Sequence, residues 1–214
     1  VALHSTPHSM LAGGAASTTL IRGADLVAAP WKNGGGVTRE VAAFPAGAGL
    51  DSFTWRVSIA DVAQAGPFSR FAGIDRTLAL LSGAGMLLDE TDATDAHAVK
   101  TYALTQPLDI ARFAGEAQID ARLVDGSTRD FNLMVRRGAA VGESEVWRGA
   151  TQRVLSADAV LLFCASGSVS LALGDEGEAH VLEADDTLRI DTPNALPCTV
   201  KGTGTVLAIS IRYT

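Results

Sequence analysis

Three short stretches gather most of the residues able to do chemistry in a chain otherwise dominated by Ala, Leu, Val and Gly. The first is "APWKNGGGVTRE", from Ala29 to Glu40. Asn-Gly is a hairpin-turn signal, but a two-residue turn does not call for three glycines with Trp31 and Lys32 beside them. Repeated glycines also let backbone amides approach a ligand closely. Ligand contact is therefore the preferred account: Gly34 and Gly35 supply amides, Lys32 supplies charge, Asn33 fixes orientation and Trp31 walls the site. Thr38 and Glu40 follow on the alternating run "VTREVAAF" and join the candidate set, Glu40 as a carboxylate that orients an arginine.

The second stretch is "WRVSIADVAQAGPFSRFAGIDR", from Trp55 to Arg76. Arg56 and Ser58 fall on one face of a strand whose other face carries Trp55. Arg70, Asp75 and Arg76 crowd a Gly- and Pro-containing segment bracketed by Phe68 and Phe71. A single arginine is ordinarily a surface ion-pair partner. Three arginines and two aromatics within about twenty residues suit an anion pocket, because the guanidinium fork matches a carboxylate. In the third stretch, "TRDFNLMVRRG", strand alternation puts Asn132, Met134 and Arg136 on one face. That face reads either as a reader of a carboxylate and an amide or as a solvated edge.

Other chemistries lack their residues. A transition-metal centre needs converging imidazoles and carboxylates. The four histidines, His4, His8, His97 and His180, are scattered, so no metal ligand is assigned and no cofactor is expected. No G-x-x-x-x-G-K-[ST] or G-x-S-x-G occurs. Cys164 sits in the apolar run "AVLLFCAS" and reads as an inert buried thiol. It and Cys198 are expected to be free rather than bridged, in a reducing cytoplasm. The net charge of -7 and pI near 5.0 argue against a nucleic-acid partner, which needs a basic face. Fourteen of the seventeen basic residues are arginine, a bias that genome composition accounts for at most scattered positions. No window approaches eighteen uninterrupted apolar residues, so no membrane span is expected.

The elements that must position these groups are strands. In "FTWRVSIADV", Phe53, Trp55, Val57 and Ile59 alternate with Thr54, Arg56, Ser58 and Ala60. Runs such as "RTLALL", "AQIDARLV", "AVLLFCA" and "VLAISIRYT" add further strands at close spacing, the pattern of an all-β sandwich or barrel. One helical turn or two is expected around "IADVAQAG", ended by Gly66 and Pro67. "LLSGAGMLLD" and "LFCASGSVSLALGD" echo one another, which suggests two similar jelly-roll β-barrels in tandem. The expected division is a loosely held arm over 1–17, a first barrel over 18–110 and a second over 111–214, the two packed as one unit for want of a linker.

The three stretches, in this order and spacing, resemble the HutD family, also known as Ves, associated with bacterial histidine utilisation. The resemblance covers about residues 18 to 213, with its anchors between 30 and 137. It implies a bicupin of the RmlC-like cupin type without the usual metal ligands. It also implies a part in histidine breakdown by binding a small anionic metabolite, with urocanate, formylglutamate and formate as candidates. Ala72 departs from the family, which often has Pro there, a change of loop rigidity rather than charge. The expected site joins Trp31, Lys32, Asn33, Gly34, Gly35, Thr38, Glu40, Trp55, Arg56, Ser58, Arg70, Phe71, Asp75, Arg76, Asn132 and Arg136. The alternative is a metal-free isomerase or epimerase using Glu40 with Lys32 or Asp75; no histidine lies in any of the three stretches. A regulator acting on another protein, through an exposed apolar patch, is a third class. Partners admitted by the sequence are the metabolite and a second copy in a homodimer.

Overall fold

A computed structural model describes residues 16–91, 99–174 and 179–214. His4, His8 and His97 lie outside the described residues, as does all but the last part of the expected arm. The first strands are β1 (Ser17–Ile21), β2 (Ala28–Pro30), β3 (Gly36–Phe44), β4 (Trp55–Val62), β5 (Gly66–Pro67) and β6 (Ile74–Ser82). Next come β7 (Met86–Thr91), β8 (Val99–Leu104), β9 (Ile110–Ala114), β10 (Gln118–Leu123) and β11 (Thr128–Arg136). The remainder are β12 (Ala140–Arg148), β13 (Thr151–Leu155), β14 (Ala159–Ser166), β15 (Ser168–Leu173), β16 (Ala179–Glu183), β17 (Thr187–Asp191), β18 (Leu196–Gly202) and β19 (Thr205–Tyr213). The helical turn expected around "IADVAQAG" is not formed. Its first half completes β4, because Ile59, Ala60 and Val62 continue the burial pattern of a strand covered on both faces.

The strands pair antiparallel into four sheets, ordered β5-β10-β7-β8, β2-β3-β4-β11-β6-β9, β1-β17-β14-β19-β12 and β13-β18-β15-β16. Three apolar clusters lie between successive sheets, so the sheets stack as four layers. Leu78, Leu80, Met86, Leu88 and Ile119 fill the space between the first two. Trp55, Val57, Ile59, Phe131, Phe163 and Ile209 join the two middle sheets. Val160, Leu162, Cys164, Leu171 and Leu188 fill the space between the last two. β14 is buried along most of its length because its odd positions enter one cluster and its even positions the other.

This arrangement corrects the expected pair of closed jelly-roll barrels. Closure requires the first and last strand of a sheet to pair, yet each of these sheets ends on two different edge strands, such as β2 and β9. The molecule is a stack of open sheets packed face to face, two sheet pairs back to back. Close-spaced, alternating strands suit a sandwich as well as a barrel, and period-2 patterning carries no information about edge pairing.

Sheet membership also places the changeover between the pairs at Arg137–Ala139, between β11 and β12, whereas the boundary expected at 110/111 falls inside β9, which pairs with β6. β1 crosses over and pairs with β17 of the second half. There Arg22 bonds Asp186 at 2.6 Å, and Gly23 donates its amide to the same carboxylate at 2.9 Å. A Cβ on Gly23 would lie 2.5 Å from that of Asp185, so only glycine permits the approach. Arg129 bonds Asp185 at 2.7 Å and faces Asp61 at 3.4 Å, linking the two middle sheets by charge.

Candidate functional site

Alternation along the second sheet sorts its residues into two chemically different faces. Trp55, Val57, Ile59, Phe131, Leu133 and Val135 point toward the other sheet pair. The residues between them point toward the first sheet, and there the register aligns the polar ones. Glu40 lies opposite Ser58, Ser58 opposite Asn132, and Thr38 opposite Ala60, which faces Asp130. Met134 lies between Arg56 on β4 and Arg76 on β6. The two arginines are therefore two strand spacings apart, about 10 Å between backbones. The expected residues Thr38, Glu40, Arg56, Ser58, Arg76 and Asn132 thus share one inward face.

Arg76 is the most confined cation of this set. Its guanidinium carbon lies 5.3, 5.6 and 5.1 Å from the ring centres of Phe68, Phe71 and Phe113. Nη1 donates to the Ser69 carbonyl at 3.3 Å, while Nε has no partner. Burial lowers its pKa to about 10, against the attraction of Asp130 and with a smaller push from Arg56. It stays charged at neutral pH, held by aromatic faces. Arg56 is fixed from one side: Nε bonds Glu40 at 2.8 Å and Nη1 bonds Ser58 Oγ at 3.3 Å. The Glu40 side chain is 43% exposed and that of Arg56 12%, so the polar face meets solvent at its Glu40 side.

Asp130 and Thr128 belong to this face and were missed in the sequence. Asp130 stands two residues before Asn132 and Thr128 two before that, so the alternation that selected Asn132 also selects them. Asp130 is buried, and burial pushes its carboxyl up to about 7, with Arg76 pulling down and Asp61 adding to the rise. Among the described residues, seven buried side-chain nitrogen or oxygen atoms lack a hydrogen-bond partner. Four of them, Arg76 Nε, Thr128 Oγ1, Asp130 Oδ2 and Asn132 Oδ1, sit on this one face. Unpartnered buried polar atoms each cost about 1–3 kcal/mol, and more than half of those in the described residues lie on this one face.

The other expected residues have structural roles. The turn is closed on itself: Gly34 N donates to the Trp31 carbonyl at 3.0 Å and Gly35 N to Asn33 Oδ1 at 3.0 Å. Neither amide is free for a ligand, and Lys32 and Asn33 are exposed. Trp31 donates to Thr38 Oγ1 at 2.7 Å and packs on the first core. Trp55 lies on the opposite face, fully buried in the middle core, with Nε1 bonded to Tyr213 at 3.2 Å. Arg70 is exposed and bonds Gln118 at 3.0 Å. Asp75 faces the other way and pairs with Arg137 at 2.7 Å. Arg136 spends its donors on the Phe53 and Asp51 carbonyls, both at 2.9 Å. Of this remainder, Phe71 touches the site as part of the cage around Arg76, and Trp31 through its bond to Thr38.

Among the described residues, no group of three or more His, Cys, Asp or Glu side chains could hold a metal ion. Cys164 and Cys198 are free and buried, and burial pushes both thiols up to about 11. A concavity of about 640 Å³ lies on the fourth sheet, over Gln152, Val154, Pro197 and Thr199. The only buried residue lining it is Cys198, so the candidate site is placed at the unpartnered polar atoms and not at this concavity. No helix among the described residues is long and apolar enough to cross a membrane.

Two packed pairs of antiparallel sheets in one chain are the architecture of a protein of the cupin fold. The chain belongs to the HutD family, whose model matches residues 23–208. It is 37% identical over 172 residues to an uncharacterized 21.2 kDa protein in the hutC 3' region of Pseudomonas putida, covering 80% of this chain and 86% of that one. The structure of HutD from Pseudomonas fluorescens SBW25, in a formate condition, superposes with a TM-score of 0.78 at 32% identity, covering 92% of this chain and 100% of that one. A conserved protein of unknown function from Pseudomonas aeruginosa PAO1 superposes with a TM-score of 0.80 at 32% identity, over 92% and 99% of the two chains.

Proposed function

We propose that this HutD-family protein binds a small carboxylate metabolite on the inward face of its second sheet and serves histidine utilisation in the cytoplasm as an accessory, non-catalytic component. One observation carries the proposal: four buried, unpartnered polar atoms converge on a face that also holds two arginines in one register row. Arg76 is the principal anion ligand, pre-oriented by three phenyl rings and keeping Nε free. Arg56, anchored by Glu40, adds field and a second fork. The location of the Pseudomonas putida relative beside hutC, and the formate condition of the Pseudomonas fluorescens structure, support the pathway and the ligand class.

The acid–base pairs expected for an isomerase, Glu40 with Lys32 or Asp75, do not form. Glu40 is engaged by Arg56, Lys32 stands on an exposed turn, and Asp75 lies on the opposite face. Calorimetric titration of the purified protein with urocanate, N-formylglutamate and formate tests the binding role. At least one binds the wild type, and Arg76→Ala weakens that ligand about 100-fold, as expected for loss of a buried charged partner. Equal affinity in the variant overturns the site; turnover of any of the three overturns the non-catalytic role.

A further inference from the structure

A carboxylate on Arg76 satisfies Arg76 Nε, and of the other unpartnered atoms on this face only the Thr128 hydroxyl can donate to it. Asp130 Oδ2 and Asn132 Oδ1, with Thr128 Oγ1, are buried and unpartnered. They occupy alternate positions on β11, so they form a row of oxygens on the inward face, next to the strand that carries Arg76. Ionised carboxylate and amide oxygens accept hydrogen bonds and do not donate them. A plain carboxylate offers acceptors only. It cannot partner the Asp130 and Asn132 oxygens, and an ionised Asp130 repels it.

We infer that Asp130 determines the specificity of this site by accepting a hydrogen bond from an N–H of the ligand whose carboxylate Arg76 holds, so that the site selects carboxylates carrying an N–H donor over plain ones. The inference rests on the carboxylate-binding role proposed above. Asn132 and Thr128 extend the same acceptor row. The charged groups around Asp130 agree with this division of labour. Arg76 on β6 and Arg56 on β4 face it from its own sheet, and Glu40 on β3 is neutralised by Arg56. Asp61 acts from the neighbouring strand. Glu90, on the inward face of the first sheet, is engaged by the Tyr102 hydroxyl at 2.7 Å. Lys100 on β8, opposite Glu90, bonds the same Tyr102 hydroxyl at 2.8 Å.

The protonation state of Asp130 gives the inference a signature in the unmodified protein. With its carboxyl titrating at about 7, an N–H donor binds the ionised form, so its affinity rises with pH through that value. Formate, a plain anion, prefers the protonated form, so its affinity falls over the same interval.

The experiment titrates wild type, Asp130→Leu and Arg76→Ala with N-formylglutamate, urocanate and formate, the wild type at pH 6, 7 and 8. N-formylglutamate carries no group that titrates in that interval and is the pH probe. In Asp130→Leu, which has no acceptor, the tighter of the two N–H carriers loses about 100-fold, the discrimination typical of a buried hydrogen-bond partner removed, while formate binds as well or better. Parallel losses of N–H carrier and formate, or no loss of either, overturn the inference. So does a pH-independent affinity of N-formylglutamate in the wild type, which requires no folded variant, or tighter binding of formate than of both N–H carriers. If no carboxylate binds the wild type, the binding role itself falls; if binding depends on Arg76 but not on Asp130, only the specificity inference falls.

Discussion

The two sheet pairs share an architecture and differ in what lies between their layers. Between the third and fourth sheets the interior is mostly apolar: Val160, Leu162, Val169, Leu171, Leu188 and Ile190, with two inert thiols and the unpartnered Trp147 indole nitrogen. Between the first and second sheets the apolar residues occupy only part of the space, and Ser58, Arg76, Thr128, Asp130 and Asn132 take the rest. Both pairs are long enough in strand and layer to pack on side chains alone. The difference teaches that two similar sheet pairs carry different interiors. One half is closed with hydrocarbon and supplies stability, which offsets the cost of desolvated, unpartnered polar groups in the other.

The strongest way to break this comparison is through pH. The folded pKa of Asp130, about 7, stands above its ordinary value of 3.8. A carboxyl raised by folding leaves stability intact below the ordinary value, erodes it as pH climbs between the two values, and leaves it at its minimum above the folded one. The full loss is roughly 4 kcal/mol, of which about 3 kcal/mol falls between pH 5 and pH 8. Urea denaturation at those two pH values shows the wild type weaker at pH 8, and Asp130→Asn removes most of the slope. A flat wild-type profile would mean that the first pair carries no desolvation cost and that the contrast is false. Glu116 and Asp89, each lowered to about 2 by bonds to arginines and neighbours, titrate below this interval and do not enter it.

A truncation in the other half sharpens the contrast from its apolar side. Leu162 is fully buried between the third and fourth sheets. Leu162→Ala removes buried methyl groups and leaves a cavity, at a cost of about 3 kcal/mol. Its denaturation midpoint falls at pH 5 and pH 8 alike, so the pH slope of the wild type is retained. Carboxylate binding, read by calorimetry below the unfolding transition, is unchanged. A loss of affinity would show that the second pair shapes the ligand face after all.

How much of this was legible in the sequence depends on what each residue's role requires. Alternation alone assigned Trp55, Val57 and Ile59 to one face and Arg56 and Ser58 to the other, because a strand's two faces are fixed by its period. The same rule reached Asn132 and, carried two and four residues back, reaches Asp130 and Thr128. It failed to separate Arg76 from Arg136. Both are arginines on inward positions of neighbouring strands, but Arg136 lies at a strand end where the carbonyls of Asp51 and Phe53 take its donors. That outcome depends on a loop some eighty residues away in sequence. The crossing of β1 to the second pair was hidden for the same reason, since β1 is a short run with no partner written into it. Closure of the sheets is a property of edges, which period-2 patterning does not encode.

The smallest effect separates the inward face from the motif that first drew attention. If the chemistry of the first pair resides on its inward face, the glycine-rich turn beside it is a structural device. Gly34 has φ +72°, in the left-handed region, with nothing within 4 Å of where a Cβ would stand. Gly34→Ala therefore clashes with no neighbour and costs only backbone strain, about 1 kcal/mol. The amides of Gly34 and Gly35 already bond Trp31 and Asn33, so the substitution leaves no ligand contact to lose. Thermal denaturation should show a drop of a few degrees, and calorimetry an unchanged carboxylate affinity. Lys32→Ala, on the exposed rim of the same turn, changes neither by more than about 0.5 kcal/mol. The opposite pattern, affinity lost with stability kept, would move the binding chemistry from the buried arginines to the turn and dissolve the division between a reading face and its scaffold.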